Sequence, residues 1–273
     1  MRKWDVMGVV NVTPDSFSDG GLYLDASAAV AHARSLVAEG ATIVDIGGES
    51  TRPGAEPVSE QDELERVVPV IEQLASGSFP SISVDTMKLG VARAALAAGA
   101  SIVNDVSALR FAPEIAGVAA DAGAVVVLMH MLGEPRTMQS DPRYDDVVSE
   151  VKAFLEDRLA FAVEEGVPED RVWLDPGIGF GKTVDHNLEL LRRLDEIAAI
   201  GRPVVVGTSR KSFLGKITGR DEGDRVAATV ATNVMAYERG ASIFRVHDVA
   251  PVADALQVAA ATVAGRWTTS PSA

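Results

Sequence analysis

The chain has 273 residues, 47% of them apolar, and a formal charge of −14, which suits one sizeable buried core. So acidic a chain is a poor match for nucleic acid or an anionic membrane, and an anionic substrate would need basic groups gathered locally or a cation. There is no cysteine, which excludes disulfides, thiolate metal sites and cysteine nucleophiles.

The first residues, "MRKWDVMGVVNV", place basic residues before apolar ones, but Asp5 interrupts a run already too short for a signal peptide. No stretch approaches the roughly 20 apolar residues that span a bilayer. The expectation is a cytoplasmic protein. Eight short apolar, β-branched runs then follow: "VMGVVNV", "TIVDIGG", "SISVDT", "SIVNDVS", "AVVVLMH", "RVWLDPG", "PVVVGTS" and "SIFRVHD". Between them lie segments of helical spacing, such as 27–39, 62–74 and 185–197. Strands alternating with helices predict βαβ units and a parallel sheet buried on both faces. Gly40, Gly99, Gly123 and Gly240 fall where left-handed helix caps are expected. Eight units are the count of a closed (β/α)8 TIM barrel, read here as a single domain over 1–273 with a loose tail at 267–273. An open doubly wound sheet would show the same alternation, since strand count does not prove closure.

A barrel places its chemistry where the strands end. Those ends carry Asn11, Asp45 to Glu49, Asp85, Asn104 with Asp105, His130, Asp175, Ser209-Arg210-Lys211, and Arg245 with His247 and Asp248. One or two of these would pass as helix caps. Eight polar strand exits together point to a site.

The loop after the first strand, "NVTPDSFSDGGLY", reads equally as a surface turn and as a lid carrying Phe17 and Asp19. The next, "GGESTRPG", reads in isolation slightly better as a capped turn than as an anion-binding loop built on Thr51 and Arg52 before Pro53. Asp85, Asn104 and Asp175 would converge on the barrel axis. Two carboxylates and an amide suit a hard metal ion or a heterocycle rich in N–H donors; residue type favours the metal, and spacing does not separate the two. "LDPGIGFGKT" has the end of a P-loop in Gly181, Lys182 and Thr183, but Pro176 stands where the opening glycine belongs and offers no N–H to a phosphate. "GTSRKSF" opens a helix after strand seven, where barrels commonly bind phosphate. Arg245 and His247 share one side of strand eight beside it, so the basic residues needed by an anionic substrate are local. No Gly-x-Ser-x-Gly elbow and no paired histidines of a zinc site are present.

Taken together, "GVVNVTPDSFSDGG", "VDIGGESTRPG", "SVDT", "VNDVS", "LMHM", "LDPGIGFGKT" with "HNLELL", "GTSRKSFLG" and "FRVHD" resemble the dihydropteroate synthases of the pterin-binding barrel superfamily, in order and over nearly the whole chain. The resemblance implies joining 4-aminobenzoate to 6-hydroxymethyl-7,8-dihydropterin diphosphate, with Mg²⁺, by an SN1-like displacement. It implies a pterin pocket of Asp85, Asn104, Val127, Met129, Asp175 and Lys211, so heterocycle recognition replaces the metal reading there. It further implies Asn11 as the Mg²⁺ ligand and Thr51, Arg245 and His247 as diphosphate binders. The aminobenzoate site would comprise Phe17, Arg52, Pro53, Phe180, Lys211 and Ser212, with Asp19, Asp175 and Lys211 closest to catalysis. A homodimer and inhibition by sulfonamides are expected on the same ground. Ala108 and Ala228 stand where the family favours glycine. A rival branch, a methyltetrahydrofolate-binding methyltransferase, would not need the two long loops or the "SRKS" site, and a non-catalytic pterin-binding paralogue would be expected to lack loop residues such as Asp19, Thr51 or Arg52, all of which are present.

Overall fold

The computed structural model describes residues 3–13, 21–50 and 54–266, with side chains omitted for 21–25. Eight parallel strands form its centre: β1 (Asp5–Asn11), β2 (Ile43–Gly47), β3 (Ser81–Asp85), β4 (Ile102–Asp105), β5 (Val125–Met129), β6 (Val172–Asp175), β7 (Val205–Val206) and β8 (Ile243–Val246). They are hydrogen-bonded in the order 6-5-4-3-2-1-8-7. A parallel bridge from Leu174 to Val204, with the Leu174 N–H donating to the Pro203 carbonyl at 2.9 Å, joins β6 to β7 and closes the barrel. The open-sheet alternative is thereby removed.

Around the barrel run α1 (Gly21–Ala38), α2 (Glu60–Ala75), α3 (Leu89–Ala98), α4 (Ile115–Ala122), α5 (Val147–Glu164), α6 (Val184–Arg192), α7 (Leu194–Ala198), α8 (Ser212–Thr218), α9 (Val226–Glu238) and α10 (Val249–Ala264). Gly40, Gly99, Gly123 and Gly240 all have positive φ, as helix-ending glycines should. The helix expected over 185–197 is instead two, broken at Arg193 (φ −111°, ψ 28°), whose guanidinium binds Asp146, Glu189 and Glu196. No helix among the described residues is long and apolar enough to cross a membrane.

Strand residues two apart face the same side, and the barrel interior is graded because of it. Inside the barrel Met7, Ile43, Ile102, Val125, Val127, Val205 and Ile243 pack as one apolar cluster with Trp173. One pleat step further toward the strand ends the same faces carry Asp45, Asp85, Asn104, Asp175 and Arg245. Strand register brings those ends level: Gly47 pairs with Asp85, Asp85 with Asn104, and Met129 with Asp175. The larger core lies outside the barrel, where the alternate residues (Val6, Val44, Ile46, Val84, Val103, Leu128) meet the helices.

Candidate active site

The rim is organised by one arginine and three carboxylates. Arg245 donates from Nε to Asp45 Oδ2 at 2.6 Å and from Nη2 to Asp85 Oδ2 at 2.7 Å. Asp45 Oδ2 also accepts from Asn104 Nδ2 at 3.0 Å. That bond sets the amide: Nδ2 is turned toward Asp45, so Oδ1 remains an acceptor. Asp45 is fully buried, and its Oδ1 has no hydrogen-bond partner among the described residues. Sequence reading counted Asp45 among the strand ends but gave it no role. A carboxylate inside the apolar run "TIVDIGG" is itself an anomaly, because buried acids need partners.

Burial and neighbours tune these groups. Burial pushes the Asp85 carboxyl up to about 7, against the pull of Arg245 and with help from Asp45. Asp175 is raised by burial and drawn back by Lys211. Burial lowers Lys211 to about 7, with Asp175 opposing and Arg245 adding to the fall. Arg245 loses solvation too, but Asp45 and Asp85 outweigh that loss and hold it charged.

The β6 exit, residues 176–183, folds back over this rim. Gly177 (φ +65°) is enforced by space: a Cβ there would lie 1.8 Å from the His130 carbonyl oxygen. Its N–H donates to Asp175 Oδ1 at 2.7 Å, orienting that carboxylate. Lys211 Nζ donates to the Ile178 carbonyl and sits 4.5 Å from the centre of the Phe180 ring, a cation–π distance. Lys182 turns inward to His130 and Thr183 caps α6 in a reciprocal pair with His186. Neither faces a phosphate cradle.

Most predicted residues within the described part gather here. Asp85, Asn104, Asp175, Lys211 and Arg245 share the mouth. Met129 and Phe180 belong to a small apolar cluster with Met87, Val106, Met131 and Met138; Val127 is in the interior cluster and pairs with Asn104 in the strand register. Asn11 ends β1, half-buried. His247 follows β8, its backbone N–H donating to Ser209 Oγ and its Nδ1 also 3.1 Å from that oxygen. Ser212 is the exposed first residue of α8. Phe17, Asp19, Thr51, Arg52 and Pro53 lie outside the described residues. The base of the second loop is described: Glu49 accepts the Val58 N–H at 3.0 Å and pairs with Lys88 at 2.6 Å.

Three strand-end residues serve the scaffold. Arg210 donates both arms of its guanidinium to Asp248 at 2.6 and 3.0 Å, which explains why Asp248 makes no capping bond. Asp105 accepts the N–H groups of Ser107 and Leu109. His130 packs edge-on against Phe154.

A closed parallel barrel with an acceptor-lined mouth, flanked by lysine and arginine, defines an enzyme that reads a donor-rich heterocycle, and residues 7–247 match the family model described as pterin binding enzyme. Dihydropteroate synthase of Synechocystis sp. is 48% identical over 94% of this chain and 90% of its own. The structure of Xanthomonas albilineans dihydropteroate synthase with 4-aminobenzoic acid superposes with a TM-score of 0.90 at 50% identity, covering 96% of this chain and 94% of that one. The Yersinia pestis enzyme in complex with a sulfonamide drug gives 0.90 at 44%, covering 96% and 95%. The chain belongs to the dihydropteroate synthase family.

Proposed function

We propose that the protein condenses 6-hydroxymethyl-7,8-dihydropterin diphosphate with 4-aminobenzoate, giving 7,8-dihydropteroate and diphosphate. The observation that carries this reading is the acceptor set Asp85, Asn104 Oδ1 and Asp175 at one barrel mouth, beside Lys211 and Arg245. The edge of a pterin is a row of N–H donors, which such acceptors match. Met129 and Val127 supply the apolar side of that pocket.

Arg245, His247 and Thr51 bind the diphosphate, the last assigned on sequence resemblance. Departure of the diphosphate breaks the methylene C–O bond, and the electron pair leaves with oxygen. Arg245 and His247 stand against that growing negative charge. The cationic pterin left behind is stabilised by Asp175, which Gly177 holds in place, and by Asp19 from the first loop. The arylamine nitrogen then forms the new C–N bond and sheds a proton to solvent. Phe180, Lys211 and Ser212 hold the aminobenzoate together with Phe17, Arg52 and Pro53. Lys211 lies between the pterin acceptors and the Phe180 ring, so it orients both substrates.

The donor chemistry suits Mg²⁺. No group of three His, Cys, Asp or Glu side chains that could hold a metal occurs among the described residues, and Mg²⁺ commonly takes few protein oxygens beside substrate phosphates and water. The Asn11 amide oxygen would hold it, together with the diphosphate. When bound, it would supply charge neutralisation for the leaving group.

The protein acts in the cytoplasm as one barrel domain and pairs as a homodimer. Exposed Met235 on α9 and Val258 and Val263 on the adjacent α10 support a buried helix face in that pair. Sulfonamides compete with 4-aminobenzoate. The test is product analysis: equimolar dihydropteroate and diphosphate, requiring both substrates and Mg²⁺. Tight methyltetrahydrofolate binding without dihydropteroate would turn the reading to methyl transfer.

A further inference from the structure

Four consecutive carbonyls of the β6 exit each accept a side-chain donor. Ile178 takes Lys211 Nζ, Gly179 takes Gln139 Nε2 at 2.5 Å, Phe180 takes Lys182 Nζ at 2.9 Å, and Gly181 takes Tyr144 Oη at 2.8 Å. Lys211, Gln139 and Tyr144 reach in from elsewhere in the chain, whereas Lys182 belongs to the segment itself. The segment is irregular, so its carbonyls have no strand or helix ladder to satisfy them. Lys182 is the most deeply placed donor, 3% exposed, and its Nζ also lies 2.9 Å from Nδ1 of His130, itself 5% exposed. No carboxylate pairs with Lys182 among the described residues. A lysine buried without an ion pair is costly, and here its donors go to the Phe180 carbonyl, to the His130 imidazole and, at 3.5 Å, to the His130 carbonyl.

We propose that Lys182, braced by His130, is a positioning residue: it fixes the Phe180 main chain and so the ring against which the second substrate and Lys211 are set. Burial and the neighbouring Lys182 push His130 down to about 2, so its ring is neutral, and with the ring proton on Nε2 its Nδ1 accepts from Lys182 Nζ. His130 also meets the loop from the other side, because its carbonyl occupies the space a Gly177 side chain would need. The residue just past β5 thus meets the segment at Gly177 and at Lys182. Through it the exit of β5 sets the height of the β6 loop over the mouth.

The inference rests on the arylamine site proposed above. Its test is Lys182→Met, which keeps the stem and removes the donor, with KM measured for each substrate. Losing one orienting hydrogen bond should raise the KM for 4-aminobenzoate about tenfold. The KM for the pterin diphosphate, held by Asp85 and Asn104 on the strands, should stay within about twofold. Tyr144→Phe, which removes the donor to the next carbonyl, should show the same selective rise and serves if Lys182→Met does not fold. Equal rises for both substrates, or none, in a variant that folds would overturn the proposal. The parent enzyme measured alongside separates the two ideas: no dihydropteroate from the parent sinks the function, whereas an active parent with unchanged variants sinks only the role of Lys182.

Discussion

Arg245→Ala should cost stability as well as turnover, although the sequence alone assigns Arg245 only to the diphosphate. Its two donors, 2.6 and 2.7 Å from different carboxylates, are the cation shared by Asp45 and Asp85. Alanine would leave both acids buried and facing each other. Stripping one partner from a buried ion pair costs roughly 3–5 kcal/mol. The native state has one escape, protonation of Asp85, whose carboxyl already sits at about 7 against an ordinary 3.8. A folded pKa raised in this way contributes stability that is complete below about pH 4 and is lost as pH rises through about 7. The penalty of Arg245→Ala should therefore be largest near pH 8 and shrink near pH 5.5. Urea unfolding of parent and variant at the two pH values measures it. Arg245→Lys keeps the charge, but one ammonium does not reproduce a fork to two acids, so it should recover the stability only in part. A variant within about 1 kcal/mol of the parent at pH 8, or a penalty unchanged between the two pH values, would refute the reasoning.

Lys211→Met should abolish turnover yet stabilise the fold at neutral pH. Burial has lowered Lys211 to about 7, so its cost to the native state is complete below that pH and fades toward the unfolded value near 10.5. The stability gained by the variant, read from unfolding midpoints, should fall by at most about 1.4 kcal/mol per pH unit from pH 7 to 10; a gain that does not change with pH would contradict this. Gly177→Ala should lower stability by at least ~2 kcal/mol, since a left-handed alanine is strained and its Cβ meets the His130 carbonyl; an unchanged melting temperature would show that the loop shifts freely. Ala108 is fully buried at φ 54°, in the left-handed region that favours glycine. Relief of left-handed strain roughly offsets the lost methyl and the entropy of glycine, so Ala108→Gly should change stability by less than ~1 kcal/mol. Ala95→Gly, equally buried but inside α3, should cost ~1–2 kcal/mol; equal effects at the two positions would remove the strain argument.

The strand ends were legible because two rules compound: a two-residue period within strands and chemistry at the carboxyl ends of a barrel. Asp85, Asn104 and Asp175 could therefore be grouped before their contacts were known. Barrel closure was not legible, because it rests on the single bridge between Leu174 and Val204, and β7 is only two residues long. The Asp45–Arg245 pair joins residues 200 positions apart, a contact that depends on the register of β1, β2 and β8 rather than on any local pattern. Pro176 already argued that Lys182 serves no phosphate loop, but only the packing of His130 against the β6 exit shows where it turns instead. The break at Arg193 was hidden because helical spacing runs straight through it, while one partner of its guanidinium, Asp146 before α5, lies far away in sequence.

The central claim is that the barrel mouth lets diphosphate leave before the amine attacks. It is tested most directly by single-turnover release of diphosphate with a series of ring-substituted 4-aminobenzoates of graded amine basicity, each at saturation with Mg²⁺ present. The account predicts release rates nearly independent of the amine, because the acceptors at the mouth, Arg245 and His247 assist a bond that breaks first. Rates that climb steeply with amine basicity would place the nucleophile in the bond-breaking step and contradict it.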